Sequence, residues 1–115
     1  MREIEVPIRV RYWRKYKSLV LIPPRRSELR KELDNTLVSG GEYYGVIKVI
    51  MFGESRQFNV GVKFYRWEWE NRQGSRGLNT VFVVTESDCH FCMEDVMKYV
   101  MEYGTANGVL TLYLP

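Results

Sequence analysis

The 115-residue sequence predicts one α+β domain: a mixed, mostly antiparallel sheet of five to six strands with two helices on one face. Three observations predict it. Several short segments place apolar residues at every second position, the period of a half-buried strand. Two other segments repeat apolar residues every three or four positions and end in glycine, as helices do. The gaps between segments are short, so neighbouring strands join as hairpins.

Residues 3–13 open the chain as a strand. Ile4, Val6, Ile8, Val10 and Tyr12 form the core face. Glu5, Arg9, Arg11 and Trp13 take the other face, and Lys15 and Lys17 continue its parity. Residues 18–22, "SLVLI", form a continuous apolar run that suits a strand buried on both faces, and Pro23-Pro24 end it. A helix follows from Ser27 to Val38, with Ser27 as N-cap, Glu28 in the first turn, a Leu29/Leu33/Leu37 stripe and Gly40-Gly41 as the stop.

Residues 42–52 are apolar on both faces except Lys48, which suits a central strand, and "GES" turns the chain. In 56–70, Phe58, Val60, Val62 and Phe64 share one face, and Asn59, Gly61, Lys63, Tyr65, Trp67 and Trp69 the other. Either a bulge near Phe64 exchanges the faces or a second aromatic row faces outward. Residues 71–79 read as a loop carrying Arg72 and Arg76, and 80–85 as another central strand. Asp88 or Ser87 caps a second helix that runs to Tyr103, closes at Gly104 and buries Cys92, Val96, Val100 and Tyr103. Residues 108–114 are the last strand. The strand 80–85, the helix and this strand have the spacing of a βαβ crossover, so the two strands are expected to be parallel neighbours.

Composition bounds the function. The hydrophobic fraction of 45% and charged fraction of 27% are those of a globular domain, and 14% aromatics argue against disorder. No run of about 18 apolar residues is present, and the first residues lack the apolar centre of a signal peptide, so a cytoplasmic home is expected. Charge is unevenly placed. Residues 1–31 hold ten Lys/Arg against three Glu, a net +7, while the other 84 hold seven basic and eleven acidic side chains, a net −4. Such asymmetry suggests an anionic partner, nucleic acid foremost, unless folding intermixes the two parts.

The leading expectation is therefore a small non-catalytic nucleic-acid-binding protein, working as a homodimer. Its contacts are Arg9, Arg11, Trp13, Lys15 and Lys17, then Arg25 and Arg26, with Arg72 and Arg76 closing from the loop. Cations pair with phosphates while rings stack on the bases of a single strand. Tyr65, Trp67 and Trp69 are a possible second platform; core or dimer interface is the competing reading. A third reading is an interaction or regulatory module whose aromatic surface meets another protein.

Cys89-x-x-Cys92 supplies the other chemistry. A thiol at a helix N-terminus meets the helix dipole and unsatisfied N–H groups, which favour thiolate. Residues 79–114, a strand leading into Cys-x-x-Cys at the head of a helix, resemble the active-site unit of the thioredoxin and glutaredoxin superfamily. That resemblance implies Cys89 as nucleophile and Cys92 as resolving thiol. The superfamily continues with a further helix and a cis-proline hairpin, whereas here twelve residues follow Tyr103 and the sole later proline is Pro115. Cys92 packed in the helix stripe beside a small inert Cys89, or a local disulfide, is the structural alternative. Cys89, His90 and Cys92 are too few ligands for a structural zinc within one chain, so neither metal nor cofactor is expected. One histidine and no phosphate-cradling glycine loop leave little for a hydrolase or nucleotide enzyme.

Overall fold

Period-two patterning leaves each strand with one face that must leave water, and this chain meets the demand by closing its sheet. The computed structural model describes residues 2–25 and 28–115. Its elements are β1 (Arg2–Trp13), β2 (Ser18–Ile22), α1 (Glu28–Thr36), β3 (Glu42–Met51), β4 (Glu54–Glu70), β5 (Arg76–Ser87), α2 (His90–Tyr103) and β6 (Ala106–Leu114). The strands form a closed barrel in the order β1-β2-β5-β4-β3-β6. All six pairings are antiparallel.

Two long strands make closure possible. β1 pairs with β6 through residues 2–10 and with β2 through residues 9–13. β4 pairs with β3 through residues 54–63 and with β5 through residues 60–70. Each long strand thus bends from one half of the barrel into the other. Val6, Val10, Leu19, Leu21, Ile47, Val49, Phe64, Phe82, Leu110 and Leu112 fill the interior, all fully buried. Each such side chain contributes roughly 1.5–3 kcal/mol of transfer free energy.

The parallel pair expected from strands 80–85 and 108–114 does not form. β5 lies between β2 and β4, and β6 lies between β1 and β3. The reason is strand direction. Three strands separate α1 from α2, so the two helices stand at opposite ends of the barrel, and α2 turns the chain around at its own end instead of carrying it back. The helices therefore do not share one face of a sheet. At the end where β1 begins, α1 buries Leu33, Leu37 is buried just after it, Glu32 pairs with Arg2, and the Asp34 carbonyl accepts from Arg66 at 2.6 Å. At the other end α2 buries Val96 and Val100 and ties Asp95 to Arg56.

Several boundaries differ from expectation. The expected N-cap Ser27 lies outside the described residues. Cys89, not Asp88 or Ser87, caps α2, while Asp88 accepts from the Asn59 backbone N–H at 3.0 Å and its side-chain amide at 2.7 Å. Tyr103 is 54% exposed, so it leaves the buried stripe of α2. The turn after β3 is Phe52-Gly53, both at positive φ. The expected 71–79 loop is only a short turn, because β5 begins at Arg76 and pairs it with Glu70. Asn71 holds that turn, its side-chain oxygen accepting from the N–H groups of Gln73 and Ser75 at 2.9 Å each. No described helix is long and apolar enough to cross a membrane.

Candidate nucleic-acid interface

The two aromatic rows of the sequence meet on one outer surface. Phe58, Val60, Val62 and Phe64 point inward along β4, so Lys63, Tyr65, Trp67 and Trp69 point outward. The faces are not exchanged near Phe64, and the one irregularity in the β4–β5 ladder falls at Gly61/Val62. Barrel order places β2 and β5 between β1 and β4, so the outward residues of all four strands share one surface.

Trp13 is half-buried there. It stacks on Tyr16 at 6.2 Å between centroids and meets Trp67 edge-on at 6.4 Å. Tyr16 in turn stacks on Tyr65 at 5.6 Å. Trp13, Tyr16 and Tyr65 roof Val20, Val81 and Val83, which are buried on the outside of the barrel as a second small core. Trp13 is thus an anchor with one wall of its ring covered. Lys15 Nζ sits 5.4 Å from the Tyr16 centroid and Lys63 Nζ 5.7 Å from that of Tyr65, within cation–π range.

Beside the roof lies a cleft of about 460 Å³ lined by Pro7, Ile8, Arg9, Arg11, Ile22, Pro23, Pro24, Arg25 and Asn107. Three guanidinium groups enter its lining and no carboxylate does. Arg9, Arg11 and Arg25 make no ion pair among the described residues. Arg25 also lines a neighbouring cleft of about 370 Å³ with Arg30, Asp34, Trp69, Ser75, Arg76, Gly77, Leu78 and Asn79. It therefore joins the basic strand to the β4–β5 hairpin. Arg30 is buried at the foot of that hairpin, donating to the Leu78 carbonyl. Desolvation lowers its pKa, Asp34 opposes this, and the positive charge of Arg25 adds to it.

The remaining predicted contacts are divided. Lys15 and Lys17 are exposed in the β1–β2 turn, Lys17 at φ 51. Arg26 lies outside the described residues. Arg72 is exposed at the tip of the hairpin, and Arg76 is paired with Glu70 at 3.5 Å. Sequence reasoning missed Tyr16, which sits in a turn where strand parity says nothing. It also missed Gly77, whose place opposite Trp69 depends on the hairpin register.

At the α2 end of the barrel the two cysteines are bonded, Cys89 Sγ to Cys92 Sγ at 2.04 Å. The Cys92 backbone N–H donates to Cys89 Sγ at 3.2 Å, so a sulfur caps α2. His90 Nε2 lies 3.0 Å from Glu94 Oε1 and is exposed, as is Phe91. The local strand, Cys-x-x-Cys and helix succession is present, but its two flanking strands are not neighbours, and a closed antiparallel barrel carries it.

No family model, curated protein or solved structure matches this chain.

Proposed function

We propose that the protein binds nucleic acid without catalysis, through the outer surface of β1, β2 and the β4–β5 hairpin. The observation that carries this reading is the cleft with Arg9, Arg11 and Arg25 unpaired by any described carboxylate, directly beside an aromatic roof. Unneutralised guanidinium groups on one surface repel one another, and a chain of phosphates offsets that repulsion while releasing counterions. Lys15 and Lys63 extend the positive rim along the rings.

Fluorescence anisotropy of labelled oligonucleotides across a salt series tests it. Log affinity is expected to fall linearly with log salt. Arg9→Ala with Arg11→Ala is expected to weaken binding uniformly across base sequences and to lower the salt slope by about two. No detectable binding at low salt, or binding unchanged in Arg9→Ala/Trp13→Ala, sinks the reading.

The Cys89–Cys92 disulfide favours a second reading, thiol–disulfide exchange with a dithiol partner. Reduction leaves Cys89 at the α2 cap, where the Cys92 N–H and the helix dipole favour its thiolate. The pH dependence of alkylation of the reduced protein is expected to place the Cys89 thiol below the ordinary cysteine range. An ordinary thiol titration together with no disulfide turnover removes this reading.

A further inference from the structure

We propose that Trp67 and Trp69, on the outer face of the β4–β5 hairpin, form a stacking track for the unpaired bases of a single strand of nucleic acid, with Trp69 seated over Gly77 as its outermost platform. The proposal rests on the nucleic-acid reading above and names the form of nucleic acid and the residues that select it.

Trp69 is opposite Gly77 in the hairpin register, and Trp67 is opposite Asn79. A side chain at position 77 would overlap the Trp69 indole atoms Cε2, Cζ2 and Nε1. The ring therefore lies in the space that glycine leaves open. Both tryptophans remain 37% exposed, unusually bare for the largest apolar side chain. One cleft beside Trp69 is lined by Arg25, Arg30, Asp34 and Arg76. Arg76 is paired with Glu70, and Arg25 is the cation there with no carboxylate partner among the described residues, which favours an anionic partner on that side of the ring.

Spacing selects the form. Residues i and i+2 on one strand face are about 6.8 Å apart. Stacked bases in a duplex rise about 3.4 Å. Bases placed on Trp67 and Trp69 are thus spread to about twice the stacked rise, which an extended single strand accommodates and a duplex does not. Glu68 and Glu70 line a second cleft beside Trp69 with Arg76, where Glu70 is paired to Arg76 at 3.5 Å, so the phosphates are expected to follow the Arg25 side of the ring. Asn79 presents an amide beside Trp67 for a base edge. A backbone leaving Trp69 meets Arg25 and then Arg9 and Arg11, since Arg25 lines both clefts.

The test compares single-stranded homopolymer DNA with a duplex of equal length at one salt concentration, by anisotropy and by quenching of tryptophan fluorescence. The single strand is expected to bind at least tenfold tighter and to quench. Trp69→Ala is expected to weaken single-strand binding by about tenfold, the loss of one stacked base, and to leave duplex binding unchanged. Trp69→Phe keeps a ring and is expected to keep most of the affinity. Gly77→Val retains every ring but displaces the indole, and is expected to behave like Trp69→Ala; the Ala/Phe pair decides if the Val variant does not fold. Equal affinity for single strand and duplex, or single-strand binding unaffected by Trp69→Ala, overturns the track. If Arg9→Ala/Arg11→Ala still weakens both forms in that case, the broader reading stands. Failure of the unaltered protein to bind any oligonucleotide overturns both.

Discussion

Two aromatic clusters lie on the outside of this barrel, and they differ in what surrounds them. The first is Trp13, Tyr16 and Tyr65 over Val20, Val81 and Val83, with Trp67 edge-on to Trp13. The second is Phe52, Tyr99 and Tyr103, where the β3–β4 turn meets α2, with Phe52 edge-on to both tyrosines at 5.1 and 5.8 Å. Around the first, Arg9, Arg11 and Arg25 have no described carboxylate partner. Around the second, Arg56 is neutralised by Asp95, and Lys98 shares a cleft with Glu54 and Glu102. Aromatic content alone does not distinguish the two clusters. The unpaired positive charge does, and it makes the first the candidate for a polyanion. They differ in structure as well: the first roofs a buried apolar layer, while Phe52 is 76% exposed in a left-handed conformation.

The largest effect expected from this contrast is at Tyr65. Tyr65→Ala removes a ring that stacks on Tyr16 and covers Val81, at a cost of about 2 kcal/mol. Denaturant unfolding measures it, and a change within the scatter of a surface substitution breaks the claim that the first cluster is a core. The opposite sign is expected at Phe52. Its φ of 54° precedes Gly53 at 78° in a two-residue hairpin turn, the place where Asn-Gly is preferred. Phe52→Asn relieves the left-handed strain and is expected to raise stability by up to about 1 kcal/mol in the same measurement. A loss of stability there shows that the contacts to Tyr99 and Tyr103 outweigh the strain.

The smallest effect sharpens the contrast from a third side of the barrel. The charge of Glu86, with its hydrogen bond to the phenol, holds the Tyr44 pKa above the ordinary 10.0. The neutral phenol is the favoured form, so the interaction is present below that ordinary value and lost as pH rises through the raised one. Glu86→Gln is expected to move the tyrosinate titration back toward 10.0, followed by ultraviolet absorbance. An unmoved curve breaks the assignment of the shift to Glu86. Here carboxylates, not cations, face the aromatic ring.

Much of the fold is legible from alternation. Ile4, Val6, Ile8 and Val10 give the inner face of β1, and Phe58 to Phe64 that of β4, because burial of one face enforces a period of two. The β4–β5 hairpin is less legible: Gly74 and Gly77 weaken the strand pattern, so residues 76–79 read as loop although pairing with β4 orders them. The basic residues of the site were legible as charge, but their neighbours were not. Nothing local to Trp13 indicates Trp67, 54 positions later in the chain.

The sequence by itself determined the number and order of elements, the inner face of β1 and the concentration of positive charge in the first 31 residues, because these depend on local periodicity and composition. β3, expected to be buried on both faces, instead exposes Tyr44, Lys48 and Ile50 on the outside of the barrel. Only the tertiary structure decided that the sheet closes. Closure follows from which strands find partners across long separations, and the bending strands β1 and β4 permit it. With it came the antiparallel placing of β5 and β6, the helices at opposite ends, and the meeting of Trp13, Arg25 and Trp69 on one surface. Side chains distant in the chain become neighbours only through those pairings, and no local pattern carries that information.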